Sequence, residues 1–299
     1  MSALGSPTPQ PSTPPPLLTF QPAPRVPSFL LCPPPHFGVH YVINPWMSGH
    51  IGGTSADLAS SQWCAFRDIL AGWAAIELLP AVPGLPDLVF TANAAVLRGN
   101  RAVLSSFRYP ERQQEEPHLA AWLTAQGYDV LTLPRKLHLE GAGDALFHRG
   151  ASTPCTNLLW FGHGVRSSID ALPFLEQHLG VAVQPLRLAD KRFYHLDTCF
   201  CPLDRGYLLY YPAAFVLESI EIIEAMVPAS HRYAVSDEDA EDFACNAVNM
   251  AGQVILNRAS APLKQWLGEK GFAVHETAAT EFLKAGGSIK CMTLRLDEA

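Results

Sequence analysis

Four apolar segments of this chain carry small or polar residues where a buried strand should be uniformly apolar: LVFTANAAVL around Asn93, GAGDALF around Asp144, FYHLDTCFCPL around Asp197 and ACNAVNM around Asn246. They fall 51, 53 and 49 residues apart, and a fifth segment, GGSIKCMTLRL around Cys291, follows 45 residues later. A repeat of this length is one supersecondary unit that packs against its neighbours to bury its apolar face. Four of the segments lead into a second strand-like run: AVLSSF, NLLWFG, GYLLYY and GQVILN. Helical periodicity follows over 111–126, 168–179, 216–226 and 261–270, and each helix hands over to a short third strand, YDVLTL, VAVQPLRL, HRYAV and FAVHE. The fifth unit closes through the N-terminus, with Cys291 on its first strand, SFLLCPPP as its second and 55–79 as its helix. The pattern predicts an α/β fold of five ββαβ units in a closed radial arrangement. Their first strands would converge on one axis, where the polar interruptions meet.

Composition narrows what such a fold could do. At 48% apolar residues the chain can bury a large core. A net charge of -7, from 21 Lys+Arg against 28 Asp+Glu, argues against nucleic acid, which needs a basic footprint. The longest stretch without Asp, Glu, Lys or Arg, 26–56, is broken by prolines and glycines and cannot cross a membrane as a helix. Residues 1–28 hold nine prolines and no basic start before an apolar run, so they read as a disordered Pro-rich tail, leaving 29–299 as the folded domain. Seven cysteines (Cys32, Cys64, Cys155, Cys199, Cys201, Cys245, Cys291) form an odd, scattered set without a CxxC pair, which fits a reduced, cytoplasmic setting. A metal site is not expected, because the Cys199–Cys201 pair near His195 has no second ligand pair at metal spacing. The Gly-rich GAGD lacks the rest of a phosphate loop.

The interruptions are chemically pointed, and each keeps a plainer alternative. Glu140 stands beside Gly141 and Gly143, either capping a turn or holding a carboxylate in an apolar setting where backbone approaches closely. His195 and Asp197 alternate and would share one face of a strand, as a satisfied core histidine or as an acid–base pair. Cys291, after GGSIK, is a small core hydrophobe or an accessible thiolate favoured by Lys290. Arg112 and Arg166 sit near helix starts, where most arginines are solvated.

Taken together in this order, FTANA, EGAGDALF, FYHLDTCFCPL and GGSIKCMT resemble the guanidino-group-modifying enzymes of the pentein fold, which include arginine deiminase, dimethylargininase and the glycine amidinotransferases. The resemblance runs from about Ser28 to the C-terminus and implies a five-bladed pseudo-symmetric α/β propeller. It implies Cys291 as nucleophile, His195 as general acid and base, and Glu140 and Asp197 as carboxylates around the guanidinium. It makes Leu31, Asp87 and Ala285 pocket residues and assigns Arg112 and Arg166 to the substrate's α-carboxylate. Within the family, LCPPPHFGVHYVINPWM, FTANA and PERQ are most similar to arginine dihydrolase. Deiminases and dimethylargininases usually carry Asp where this chain has Asn93. Asn offers a donor as well as an acceptor, which suits the neutral ureido group of citrulline and allows a second cycle to ornithine. The expectation is therefore a cofactor-free thiol hydrolase of arginine or a methylated arginine. Dimethylargininase and simple deiminase are the nearest alternatives; an amidinotransferase or a binding propeller like the ribosome-binding initiation factor of the same fold stand further off. A homo-oligomer is left open.

Overall fold

The structure is a computed structural model describing residues 26–134, 136–150 and 157–298. Residues 1–25 of the Pro-rich tail and Cys155 lie outside the described residues. Ser28 opens the first strand and pairs with Ala75.

Among the described residues, fifteen strands form five three-stranded sheets. The central strands are β1 (Ser28–Leu31), β4 (Arg101–Leu104), β7 (Leu158–His163), β10 (Tyr207–Tyr210) and β13 (Gln253–Leu256). Each pairs antiparallel with the first strand of its unit: β15 (Leu294–Arg295), β3 (Ala95–Arg98), β6 (Ala145–Phe147), β9 (Phe200–Leu203) and β12 (Val248–Met250). Each also pairs parallel with a third strand: β2 (Ala75–Leu78), β5 (Asp129–Leu131), β8 (Ala182–Arg187), β11 (Arg232–Ala234) and β14 (Ala273–Glu276). Between β12 and β13 the antiparallel step is a tight hairpin at Ala251–Gly252, where φ of 48° and 76° matches the twist of the flanking strands, whereas β15 and β1 come from opposite ends of the chain. The parallel step needs a crossover, supplied by a helix in every unit.

The helices follow from their apolar spacing. In Ala56–Ala71 the Ser55 side chain accepts from Leu58 N, and Ala59, Trp63, Phe66 and Leu70 form the buried stripe. This helix is shorter than the predicted 55–79: it ends at Gly72, and 75–78 forms β2 because β1 offers a free edge. The predicted helix 111–126 is two, Pro110–Gln113 and Glu116–Ala125, the second restarting at Pro117. The sheets are buried on both faces: along β7, Leu158 and Trp160 join one apolar cluster while Leu159 and Phe161 join another with Leu175 and Leu179 of the helix Leu172–Leu179.

The polar interruptions are not in strands. Thr91–Asn93 and Leu196–Thr198 are single 3-10 turns, Gly141–Asp144 is one helical turn, and Asn246 and Cys291 occupy turns. Every one precedes the first strand of a sheet. His195 and Asp197 therefore do not share a strand face, and Cys291 is not on its strand. Turning the backbone there frees main-chain acceptors, which side chains satisfy: Thr91 Oγ1 donates to Leu30 O (2.8 Å) and Met292 O (2.9 Å), and Ser105 Oγ donates to Asn93 O. Gly141 makes the closest of these turns possible. Its φ is +58°, and a Cβ there would lie 2.8 Å from Ala92 O.

Candidate active site

Cys291 is 3% exposed. Asn246 Nδ2 donates to its Sγ at 3.1 Å, and both Asp197 oxygens lie 3.8 Å from the sulfur. Asp197 Oδ2 accepts from Lys290 Nζ at 3.1 Å, and Lys290 also donates to Ala142 O. Burial, followed by the Asp197 carboxylate, pushes the Cys291 thiol well above the ordinary cysteine value, although Ser288 N–H, Lys290 and Asn246 pull the other way. The sulfur is buried, and the groups around it oppose one another in their effect on its ionisation.

His195 is 1% exposed, and its Nε2 lies 2.7 Å from Glu140 Oε2. Burial raises the Glu140 pKa, but Arg166, His195 and Arg112 outweigh it and hold the carboxyl well below its usual range. An ionised carboxylate only accepts, so Nε2 is assigned the proton and Nδ1 the lone pair. That lone pair faces Asn93 Nδ2 at 3.5 Å. Glu140 is occupied elsewhere too: Oε1 accepts from Arg108 N (3.1 Å), and Oε2 also accepts from Arg166 Nη1 (2.8 Å).

Asn93 has its orientation fixed by obligate partners. Its Oδ1 accepts from Arg112 Nη1 at 2.8 Å, and its Nδ2 donates to Glu140 O at 3.1 Å. The donor end of the amide consequently faces His195.

Asp87, Asn93, Arg112, Arg166, His195 and Cys291 line one cleft. Ala285 also lines it. Three sequence-stated positions do not. Leu31, fully buried in β1, packs into the apolar core beside the cleft. Glu140 stands behind His195 and Arg166, and Asp197 and Lys290 line a second cavity.

Among the described lining residues, Asp87 is the cleft's one carboxylate. Its Oδ2 accepts from Tyr41 at 2.7 Å while its buried Oδ1 has no partner, and burial raises its pKa against the pull of Arg112, Tyr41 and Arg166. That free oxygen can accept a hydrogen bond from a donor placed in the cleft. The arginines differ from the free pair expected. Arg112 spends its fork on Glu115 (Nε and Nη2, both 2.8 Å) as well as on Asn93 and Asp87 O (3.2 Å). Arg166 lies between the Tyr109 and Tyr194 rings, 4.6 and 4.5 Å from their centroids, and donates to Glu140 and Ile43 O, leaving further N–H groups uncommitted. Nothing in the residue pattern assigns a role to Asn246, Glu115, Tyr109 or Tyr194. Asn246 at least stood on the beat of the repeat, and Tyr194 stood next to His195.

No protein-family model matches the chain. It is 52% identical over 270 residues to the bifunctional arginine dihydrolase/ornithine cyclodeaminase AgrE of Nostoc sp., covering 90% of this chain and 38% of AgrE. The chain thus spans about two fifths of that relative. It is 34% identical over 274 residues to the N(G),N(G)-dimethylarginine dimethylaminohydrolase of Mycobacterium tuberculosis, covering 91% of this chain and 87% of that enzyme. Among solved structures, the N-terminal domain of the cyanobacterial arginine dihydrolase ArgZ, a Cys-to-Ser variant bound to substrate, superposes with a TM-score of 0.88 at 48% identity, covering 91% of this chain and 98% of that one. An Asn-to-Ser variant of the same domain, covalently bound to a reaction intermediate, superposes with a TM-score of 0.89. With such likeness over nearly its whole length, the chain belongs to the guanidino-group-modifying enzymes of the pentein superfamily, the family of the arginine dihydrolases and dimethylargininases.

Proposed function

We propose that residues 29–299 form a catalytic domain that hydrolyses arginine twice, to ornithine, two ammonia and carbon dioxide, without a metal or organic cofactor. The observation that carries this reading is an amide, Asn93, presenting its N–H toward His195 in the cleft that holds Cys291. The dihydrolase names of AgrE and ArgZ support it. The five sheets are read as blades of a propeller, with the five polar turns gathered at its axis. A chemistry that rests on a free thiol fits a reducing, cytoplasmic compartment.

The substrate's α-carboxylate meets Arg166 and the remaining N–H of Arg112, and its ammonium meets the free Oδ1 of Asp87. These contacts fix the non-reacting end and direct the guanidinium toward Cys291, lowering the orientational barrier. The guanidinium charge next to the sulfur offsets Asp197 and Glu140 and favours the thiolate. The Cys291 thiol gives its proton to His195, making the imidazolium, and the resulting thiolate forms an S–C bond to the guanidinium carbon. The C–N bond then breaks as His195 protonates the leaving ammonia, Glu140 stabilising the imidazolium in between. A water loses its proton to His195 and attacks the same carbon, the C–S bond breaks, and citrulline remains. The Asn93 N–H retains the ureido oxygen for a second attack. That cycle releases the second ammonia and a carbamate, which yields carbon dioxide and ornithine.

The test is product analysis by mass spectrometry after separate incubation with arginine, citrulline and dimethylarginine. Ornithine from both arginine and citrulline is expected. Citrulline as the end product, or dimethylamine released faster than ammonia, would replace this reading with a deiminase or a dimethylargininase, the second in line with the mycobacterial relative.

A further inference from the structure

Asn246 is the one polar turn residue on the fifty-residue beat, besides Asp144, with no part in the chemistry above. It is 0% exposed. Its Oδ1 accepts from Cys291 N at 3.0 Å, and its Nδ2 donates both to Asp197 O at 3.0 Å and to Cys291 Sγ at 3.1 Å. Its own carbonyl accepts from Lys290 N at 3.2 Å. The amide cannot be flipped: a backbone N–H only donates and a carbonyl only accepts, so Oδ1 must face Cys291 N and Nδ2 must face Asp197 O. The N–H directed at sulfur is therefore fixed by two contacts that have nothing to do with sulfur. One side chain ties together the turn that carries the nucleophile and the turn that carries its nearest carboxylate.

We propose that Asn246 is a positioning residue that holds Cys291 Sγ in place and donates a hydrogen bond to its thiolate, and that this donation matters more for the second hydrolysis than for the first. The second clause rests on the arginine dihydrolase reading. The groups around the sulfur explain the asymmetry. Asp197 opposes the thiolate from 3.8 Å, partly neutralised by Lys290; Ser288 N–H and Asn246 favour it. Tyr194 and His195 stand on the neighbouring turn, Glu140 lies behind His195, and Asp87, Arg112 and Arg166 line the rest of the cleft. With arginine bound, a substrate cation offsets Asp197. With neutral citrulline bound it does not, and fixed donors such as Asn246 are left to stabilise the sulfur's charge.

The test uses the full chain carrying Asn246→Asp, which keeps side-chain size and an oxygen facing Cys291 N but removes the donor, and Asn246→Ala, which removes both and adds no charge. The rate at which iodoacetamide alkylates Cys291 without substrate, read by peptide mass spectrometry at pH 8, should fall at least tenfold, the equivalent of a thiol midpoint raised by one unit or more. A purely structural role would have the opposite sign, since a loosened Cys291 would gain solvent and react faster. The turnover number for citrulline should also fall at least tenfold further than that for arginine. Unchanged or faster alkylation in Asn246→Ala would overturn the proposal even if Asn246→Asp fails to fold, and equal losses on both substrates would overturn its second clause. Slowed alkylation in a protein whose wild type never consumes citrulline would keep the donor role and remove the dihydrolase reading instead.

Discussion

Replacing Asn93 by Asp alters one atom at the point where the two halves of the reaction differ. The side chain is held by Arg112 Nη1 on its oxygen (2.8 Å) and gives its N–H to Glu140 O (3.1 Å). In Asn93→Asp, the Arg112 contact survives with a stronger charge, but the second oxygen faces the Glu140 carbonyl and the His195 lone pair with nothing to donate. For arginine the added negative charge offsets this, because the substrate is a cation. For citrulline the ureido oxygen is left unpaired against a carboxylate in a buried cleft, at a cost of about 1–3 kcal/mol. That corresponds to roughly 5- to 160-fold in rate. The assay is the ratio of ornithine to citrulline formed from arginine by wild type and variant, measured by mass spectrometry over the same number of turnovers. The ratio should fall at least about fivefold while arginine consumption drops much less. Equal losses on arginine and citrulline, or an unchanged ratio, would refute the assignment of the Asn93 N–H to the ureido oxygen.

Other perturbations address the remaining parts of the site. Glu140→Gln leaves His195 without its anionic partner and should lower arginine turnover by about 10²- to 10⁴-fold. Because the Glu140 pKa is held below its unfolded value, its contribution to stability is present above about pH 4.3 and lost as the pH falls further; thermal melts of Glu140→Gln should be flatter on the acid side than those of wild type. Gly143→Ala would drive a Cβ into Asn93 Nδ2 and against His195, so turnover should collapse while the far-ultraviolet circular dichroism stays native. Lys290→Met strands the 1%-exposed Asp197 carboxylate and should cost about 3–5 kcal/mol, seen as a thermal midpoint lowered by at least about 5 °C; adding Asp197→Asn should recover most of it.

The five-unit order was legible because each unit repeats the same alternation of apolar strand, hairpin, helix and strand. Its local geometry was not. Thr-Ala-Asn in LVFTANAAVL alternates as a strand would, and nothing in the residues says that Thr91 will satisfy carbonyls of two other segments and so stabilise a 3-10 turn. The same blindness misplaced His195 and Cys291 by one structural element, although both remain beside the site. Arg112 and Glu115 have the i,i+3 spacing of an ordinary solvated helix pair, yet both are buried, and the pairing commits most of Arg112. Long-range packing decides that difference. Glu140 illustrates the limit from the other side: the GAG sequence announced a close backbone approach, but only the fold shows that the carboxylate faces His195 and Arg166 rather than the cleft.

The nucleophilic role of Cys291 is tested most directly by catching the bond it forms. A His195→Gly variant lacks the base that activates water, so the adduct formed from an S-alkyl isothiourea analogue of arginine, whose thiol departs without the proton that ammonia needs from His195, should persist. Intact-protein mass spectrometry followed by peptide mapping should find the added mass on Cys291 and on no other cysteine, and Cys291→Ser should show neither adduct nor turnover while Cys64→Ser and Cys245→Ser keep both. An adduct on another residue, or turnover surviving in Cys291→Ser, would contradict the proposed chemistry outright.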